Sequence, residues 1–364
     1  MQMRDLNRQY MTMKAEMDDA LEGVVASGAF IMGQSVVELE QHLADYVGVK
    51  HCVTCASGTD ALRLALMAWG IGAGDAVFVP DFTFFASAEV IALQGATPVF
   101  VDVRQEDYNI DVHDLAEKIR YVKEYTDLRP AAVIAVDLFG CPADYDGLQP
   151  LCREHNLLLL EDGAQGFGGA IGERKACSFG DIATTSFFPA KPLGCYGDGG
   201  AIFTDNDEWA DMLRSLRVHG KGVDKYDNLR VGLNSRLDTM QAAVLQVKLK
   251  HFDAELEAVN RIAKQYSELL RGRVTVPELA PEVTSSWAQY TIQSPERDAI
   301  QSRLKAAGIP SMVYYPRTMS RQTAFANLNQ KPCSVADRLT QTVLSLPMHP
   351  YITDEEIRLI AATI

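Results

Sequence analysis

The feature that most constrains this chain is an alternation of short apolar runs with amphipathic stretches. The runs are His51–Ala56, Ala76–Pro80, Pro98–Val103, Ala131–Val136, Leu157–Glu161, Ile182–Phe187 and Ala201–Thr204. Helical patterns lie between several of them, at Asp60–Trp69, Ala86–Leu93, Val112–Val122 and Tyr145–His155. Runs this short and this continuously apolar predict strands covered on both faces, and the intervening helices supply the crossovers that parallel strands need. The expected fold class is α/β, with a mostly parallel central sheet in a large domain.

From about Asp238 the pattern changes. Thr239–Leu270 predicts one long helix. Beyond it, Trp287–Ile292 and Ser311–Tyr314 are strand candidates, with helices over Pro295–Ala307 and Thr353–Thr363. The expected division is a large domain over residues 1–245 and a smaller C-terminal α/β domain over 246–364. A chain of 364 residues with 47% hydrophobic composition is long enough for both.

The formal net charge of -14 argues against nucleic acid and anionic lipid as partners, because most of the surface repels them. The start, MQMRDLNRQYMTMK, has no apolar core of a signal peptide, and no run of about 18 apolar residues predicts a membrane span. A cytoplasmic protein is the expectation. The 7 cysteines include a lone CxxC at Cys52 and Cys55. Without a second ligand pair they are expected to be buried thiols, and no metal is expected.

Several segments carry possible chemistry. Ser57-Gly58-Thr59-Asp60 joins a strand to a helix N-terminus. Backbone N–H groups there can hold a phosphate, and the same residues can form an ordinary N-cap. Gly70-Ile-Gly-Ala-Gly74 follows a helix instead of a strand, so it reads as a helix stop. The leucine run 157–160 ends in Glu161-Asp162-Gly-Ala-Gln165, at the sheet edge where open α/β sheets bind ligands. Asp162 there can face a cationic ring nitrogen, with Gln165 hydrogen-bonding beside it; a solvated loop acid is the alternative.

Lys191 follows a strand and is held between Pro189 and Pro192, ahead of a glycine-rich stretch. A lysine fixed in a rigid, partly apolar turn can act as a Schiff-base amine. Ser186, five residues earlier, can serve a phosphate. In Pro80-Asp-Phe-Thr-Phe-Phe-Ala-Ser87, Phe84 is the candidate to stack on a flat ring, while Phe82 and Phe85 are expected in the core. Arg217-Val-His-Gly-Lys221 and Arg230 to Asp238 concentrate cations in an acidic protein. A phosphorylated substrate or a solvated charged face accounts for them equally.

Taken together, SGTDAL, PDFTFFASAE, EDGAQGFG, SFFPAKPLGCYGDGGA and NSRLDTMQAA resemble the DegT/DnrJ/EryC1/StrS family of nucleotide-sugar aminotransferases, in order and at similar spacing. The resemblance implies the fold-type I pyridoxal 5'-phosphate transferase architecture and that cofactor. It assigns Lys191 as the Schiff-base lysine and proton carrier, Asp162 to the pyridinium nitrogen, Gln165 to the ring hydroxyl and Phe84 to the ring face. Gly58, Thr59 and Ser186 are implied at the cofactor phosphate. Asn234 is implied to reach that phosphate from a neighbouring subunit, making a homodimer with shared active sites. Arg236 is implied at the sugar carboxylate or nearby acidic groups, and Tyr314 and Tyr315 at the substrate.

The SFFPAKPLGCYGDGGA form is similar to members that aminate C3 of a UDP-linked 3-oxo-N-acetylglucosaminuronic acid with L-glutamate, for bacterial surface polysaccharide. Other members use 3-oxo or 4-oxo deoxyhexoses on dTDP or UDP. Several uronate-type members carry His-Tyr-Pro where this chain has Tyr314-Tyr315-Pro316; the histidine helps contact the sugar there, whereas tyrosine can donate one hydrogen bond but carries no charge at neutral pH. Members that dehydrate sugars carry histidine at the lysine position, and Lys191 argues for transamination. A non-catalytic paralogue is the remaining alternative, and it does not explain why every expected polar residue is present.

Overall fold

A computed structural model describes residues 1–224 and 226–364. Its centre is a seven-stranded sheet in the order His51–Cys55, Gly200–Thr204, Ile182–Ser186, Leu158–Asp162, Arg129–Val136, Asp75–Pro80, Thr97–Val101. All pairings from Ile182–Ser186 to Thr97–Val101 are parallel. Gly200–Thr204 is antiparallel to both neighbours. It returns directly from Ile182–Ser186 with no crossover helix between them, so the Lys191 loop is the connection.

The strands alternate their side chains between two cores. Val77, Val79, Ile134 and Leu160 belong to one, and Ala76, Phe78, Val133, Ala135 and Leu159 to the other. Both faces are buried, which is why these runs are apolar throughout instead of alternating. The helix Gly58–Ala68 buries Ala61, Leu62, Leu64, Ala65 and Leu66 against the first core. Cys55, Pro80, Val136, Asp162 and Ser186 end their strands at one edge of the sheet.

The helix Thr239–Leu270 spans the chain's two halves. Ala242, Val244, Leu245, Val247 and Phe252 pack with the N-terminal helices Lys14–Ser27 and Gln34–Val47 in one cluster. Val259, Ile262, Ala263, Tyr266 and Leu270 pack in another, with Tyr290, Ile292, Ile300, Leu304, Leu344, Leu346, Ile357 and Ile360. The change of core therefore falls between Phe252 and Val259, inside the helix and beyond position 245. Met319, Phe325, Cys333, Ala336 and Leu339 return to the large core.

The small sheet pairs Tyr290–Gln293 antiparallel with Val343–Leu346. The expected strand Ser311–Tyr314 does not form; Met312 makes only an isolated bridge to Ser345. Pro310 has no N–H to extend the ladder, and Val313, Tyr314 and Tyr315 pack against the large core instead. No described helix is long and apolar enough to cross a membrane.

Candidate active site

The site is built at the sheet edge. Ser57 caps the helix Gly58–Ala68, its hydroxyl accepting from Asp60 N at 3.1 Å. The N–H groups of Gly58 and Thr59 remain in the first turn, where a helix offers them no acceptor. The N-cap is therefore present, and these two N–H groups are left without a helical acceptor. A Cβ at Gly58 would lie 2.6 Å from Ser186 Cβ, so only glycine lets that serine approach the turn. Ser235 ties the segment carrying Asn234 and Arg236 to the same turn, donating to Asp60 Oδ2 at 2.7 Å and accepting from Ala56 N at 3.1 Å.

Asp162 ends its strand 4% exposed. Its Oδ2 accepts from Ser87 Oγ at 2.8 Å and its Oδ1 from Ala164 N at 3.2 Å. Ser87 Oγ also lies 3.2 Å from Thr83 Oγ1. A hydroxyl has one proton, and Ser87 gives its own to Asp162, so Thr83 is the donor in that second contact. Burial raises the Asp162 carboxyl, while Ser87, Ala164 N–H and the charge of Lys191 lower it. A cation placed against it would lower it further.

Lys191 sits on the loop after Ile182–Ser186, with its N–H bonded to Phe188 O at 2.8 Å. Burial lowers its amine to about 8, Asp162 acting upward and Arg4 downward. An amine so placed is a usable nucleophile and base near neutrality.

Gln165 has a fixed orientation. Its Oε1 accepts from Phe139 N at 2.6 Å, which turns Nε2 toward Tyr315 Oη at 3.1 Å. Tyr315 accepts that bond and keeps its own proton for another acceptor; burial holds its phenol well above the ordinary range. Phe84 is 53% exposed and its ring centre lies 6.2 Å from that of Tyr315. Phe82 is buried, and Phe85 packs on Phe325, as expected of core residues.

A cavity of about 430 Å³ collects Gly58, Thr59, Phe84, Asp162, Gln165, Ser186, Lys191, Tyr314 and Tyr315. Asn234, which is exposed, and Arg236, half-buried, do not line it in this single chain. Arg217 is withdrawn from the expected cationic segment. It is 4% exposed, bonded to Thr54 O at 2.7 Å and paired with Glu40. Sequence reasoning gave Ser87, Gln289 and Asp198 no role, yet all three line the cavity. Ser87 carried a signal: a hydroxyl inside the apolar helix FASAEVIAL must find a partner.

The donor set suits a phosphorylated cationic ring bearing an aldehyde. Free N–H groups and a serine serve the phosphate, a buried carboxylate the ring cation, an aromatic the face and an amine the aldehyde. All 7 cysteines are free thiols, and among the described residues no cluster of His, Cys, Asp or Glu is arranged to hold a metal.

Residues 11–364 match the model of the DegT/DnrJ/EryC1/StrS aminotransferase family. The chain belongs to that family. It is 42% identical over 361 residues to UDP-2-acetamido-2-deoxy-3-oxo-D-glucuronate aminotransferase of Pseudomonas aeruginosa, covering 99% of this chain and 98% of the relative. It is 41% identical to UDP-N-acetyl-3-dehydro-alpha-D-glucosamine 3-aminotransferase of Acidithiobacillus ferrooxidans, covering 100% and 96%. The crystal structure of a family aminotransferase from Brucella abortus superposes with a TM-score of 0.98 at 47% identity, covering 100% and 98%. The α/β fold with its mostly parallel sheet is that of this family.

Proposed function

We propose that the protein moves the amino group of L-glutamate to a keto nucleotide sugar, at C3 of UDP-2-acetamido-2-deoxy-3-oxo-glucuronate, using pyridoxal 5'-phosphate on Lys191. The observation that carries this reading is the meeting of a pKa-lowered lysine, a buried hydrogen-bonded carboxylate and a helix N-terminal cradle in one cavity. The 3-oxo uronate is supported by the full-length likeness to the Pseudomonas aeruginosa enzyme. A UDP- or dTDP-linked 3-oxo or 4-oxo sugar without the carboxylate is the second reading. It is favoured by Tyr314, a neutral residue at the position where the resemblance implies a histidine in several uronate-type members.

The bound cofactor supplies a carbonyl to take the amino group and a ring that withdraws electrons. The chain's residues do the rest. Asp162, held by Ser87, keeps a cationic ring nitrogen protonated. Gly58, Thr59 and Ser186 hold the phosphate, and Phe84 covers the ring. Lys191, once its amine is free, takes the proton from Cα of glutamate and later returns one to the sugar carbon. Gln165 directs an N–H toward the ring hydroxyl.

A homodimer completes the site in this reading. Phe30, Ile31, Met32, Val37, Leu229 and Val231 are exposed apolar side chains in the single chain, which supports a partner covering them. Asn234 and Arg236 stand beside the cradle and outside the cavity, which supports their serving the partner's site. A cytoplasmic enzyme of surface-polysaccharide synthesis fits these substrates.

Incubation with glutamate and each keto nucleotide sugar, followed by mass spectrometry, tests the proposal. The expected result is an amino sugar and 2-oxoglutarate in equal amounts, with the UDP 3-oxo uronate reacting fastest. A deoxy sugar without nitrogen would instead make the protein a dehydratase, and no product with any keto sugar would overturn the proposal.

A further inference from the structure

The loop that carries Lys191 is held from behind by two cations. Arg4 Nη2 donates to Pro192 O at 2.9 Å, across 188 positions of sequence. Lys248, 2% exposed on the long helix, donates to Gly194 O at 2.7 Å and lies 4.5 Å over the Tyr196 ring. The segment carrying Arg4 is anchored by the bond from Met348 N to Met3 O at 3.0 Å. The nearby carboxylate is Glu255, 8% exposed, which accepts from Gln9 Nε2 at 2.9 Å and from Tyr351 Oη. Half-buried Arg4 and buried Lys248 thus share one carboxylate already engaged by other donors. Burial, and after it Arg4, lowers the Lys248 amine to about 8, so across the alkaline range Arg4 is the charge that stays beside the lysine loop. Arg4 also lies outside the segment that matches the family.

We infer that Arg4 is a positioning residue for the amine of Lys191: it grips the carbonyl of the next residue and sets a fixed positive charge behind the amine, favouring its neutral form. The inference rests on the proposed role of Lys191. The charged and titratable groups facing that amine are Asp162 on the neighbouring strand, Asp198 and Tyr315 at the cavity, and Arg4 behind the loop. Asp162 favours the ammonium form. Arg4 opposes it, so the amine can accept a proton near neutral pH. An ordinary lysine, with a pKa near 10.4, is almost wholly protonated there.

The test measures the amine directly. Wild type, Arg4→Met, Arg4→Lys and Lys248→Met proteins are stripped of cofactor and trace-labelled with acetic anhydride across the alkaline range. The yield at residue 191 is read by peptide mass spectrometry against an exposed lysine. The expected midpoint for wild type is about 8. In Arg4→Met it should rise, and labelling at neutral pH should fall below wild type in step with it. Arg4→Lys, which keeps the charge, should stay close to wild type, and Lys248→Met should move in the same direction as Arg4→Met by less. A merely structural Arg4 would change the melting temperature and leave the midpoint in place; a folded Arg4→Met protein with an unmoved midpoint overturns the inference. Arg4→Gln replaces Arg4→Met should the latter not fold. Borohydride trapping of cofactor on wild-type Lys191 separates the two claims. If no adduct forms, the reading of the site fails; if it forms and the midpoint stays, only the role of Arg4 fails.

Discussion

Replacing Ser87 by alanine removes one hydroxyl, and its effect can be worked out from the site. Ser87 Oγ is the only side-chain donor to Asp162 among the described residues, at 2.8 Å, and both residues are buried. A hydrogen bond to a charged group is worth about 1.5–3 kcal/mol, and in Ser87→Ala one carboxylate oxygen is left without a side-chain donor. The loss falls on the ionised form of Asp162, whose carboxyl burial already raises. The variant should therefore hold pyridoxal phosphate roughly 10- to 150-fold more weakly, since each 1.36 kcal/mol is a factor of ten. Equilibrium dialysis of the cofactor gives the affinity, and thermal melting of cofactor-free protein reports any separate loss of stability. A double-mutant cycle decides the route: in an Asp162→Asn background, Ser87→Ala should change affinity little, because the charge it serves is gone. Equal affinity losses in both backgrounds would refute the idea that Ser87 acts through Asp162.

Other expectations follow from the same geometry. Phe84→Ala should leave stability unchanged, since the ring is half exposed, and weaken cofactor binding roughly 2- to 13-fold, the worth of an aromatic contact of about 0.5–1.5 kcal/mol; titration by absorbance checks this. Mixing inactive Lys191→Ala protein with inactive Asn234→Asp protein, then allowing subunits to exchange, should restore about one quarter of wild-type activity, because half the dimers are mixed and each holds one intact site. No recovery after proven exchange would count against shared sites. His349 is 2% exposed, and its Nδ1 has no hydrogen-bond partner. Burial chiefly lowers its imidazole to about 4, Asp5 acting upward and Arg4 downward. The unfolded chain takes that proton first, near pH 6.5, so the stability is fully present above this and is lost as pH falls toward 4. The loss should be about 2 kcal/mol between pH 8 and 5. Urea unfolding of His349→Leu should show a flatter acid limb than wild type; parallel limbs would refute it.

The large sheet was legible because each strand is a continuous apolar run between turn residues, and both faces of the sheet are covered. Other elements lacked so plain a signal. Val343–Leu346 has four residues and follows the helix Ser334–Thr342 with no turn between them, so nothing local marks the switch to a strand. Ser311–Tyr314 looks like a strand by composition, yet its side chains serve the cavity and the large core. The N-terminal helices could have been found from Gly28 and Gly48, which end Lys14–Ser27 and Gln34–Val47 in the left-handed conformation. In the site, motif order picked out Gly58, Thr59, Ser186, Asp162 and Lys191, which the fold gathers around one cavity. It missed Arg4, whose partner lies 188 positions away, because contacts that distant leave no local pattern. It also counted Arg217 among available cations, though Glu40 and the Thr54 carbonyl already occupy it.

The central claim is that the Lys191 amine joins an aldehyde cofactor beside Asp162. Cofactor-loaded protein should be reduced with borohydride, digested and mapped by mass spectrometry. The account predicts a phosphopyridoxyl mass on the peptide containing residue 191, absent from Lys191→Ala. An adduct on another lysine, or none from protein that retains bound cofactor, would contradict it.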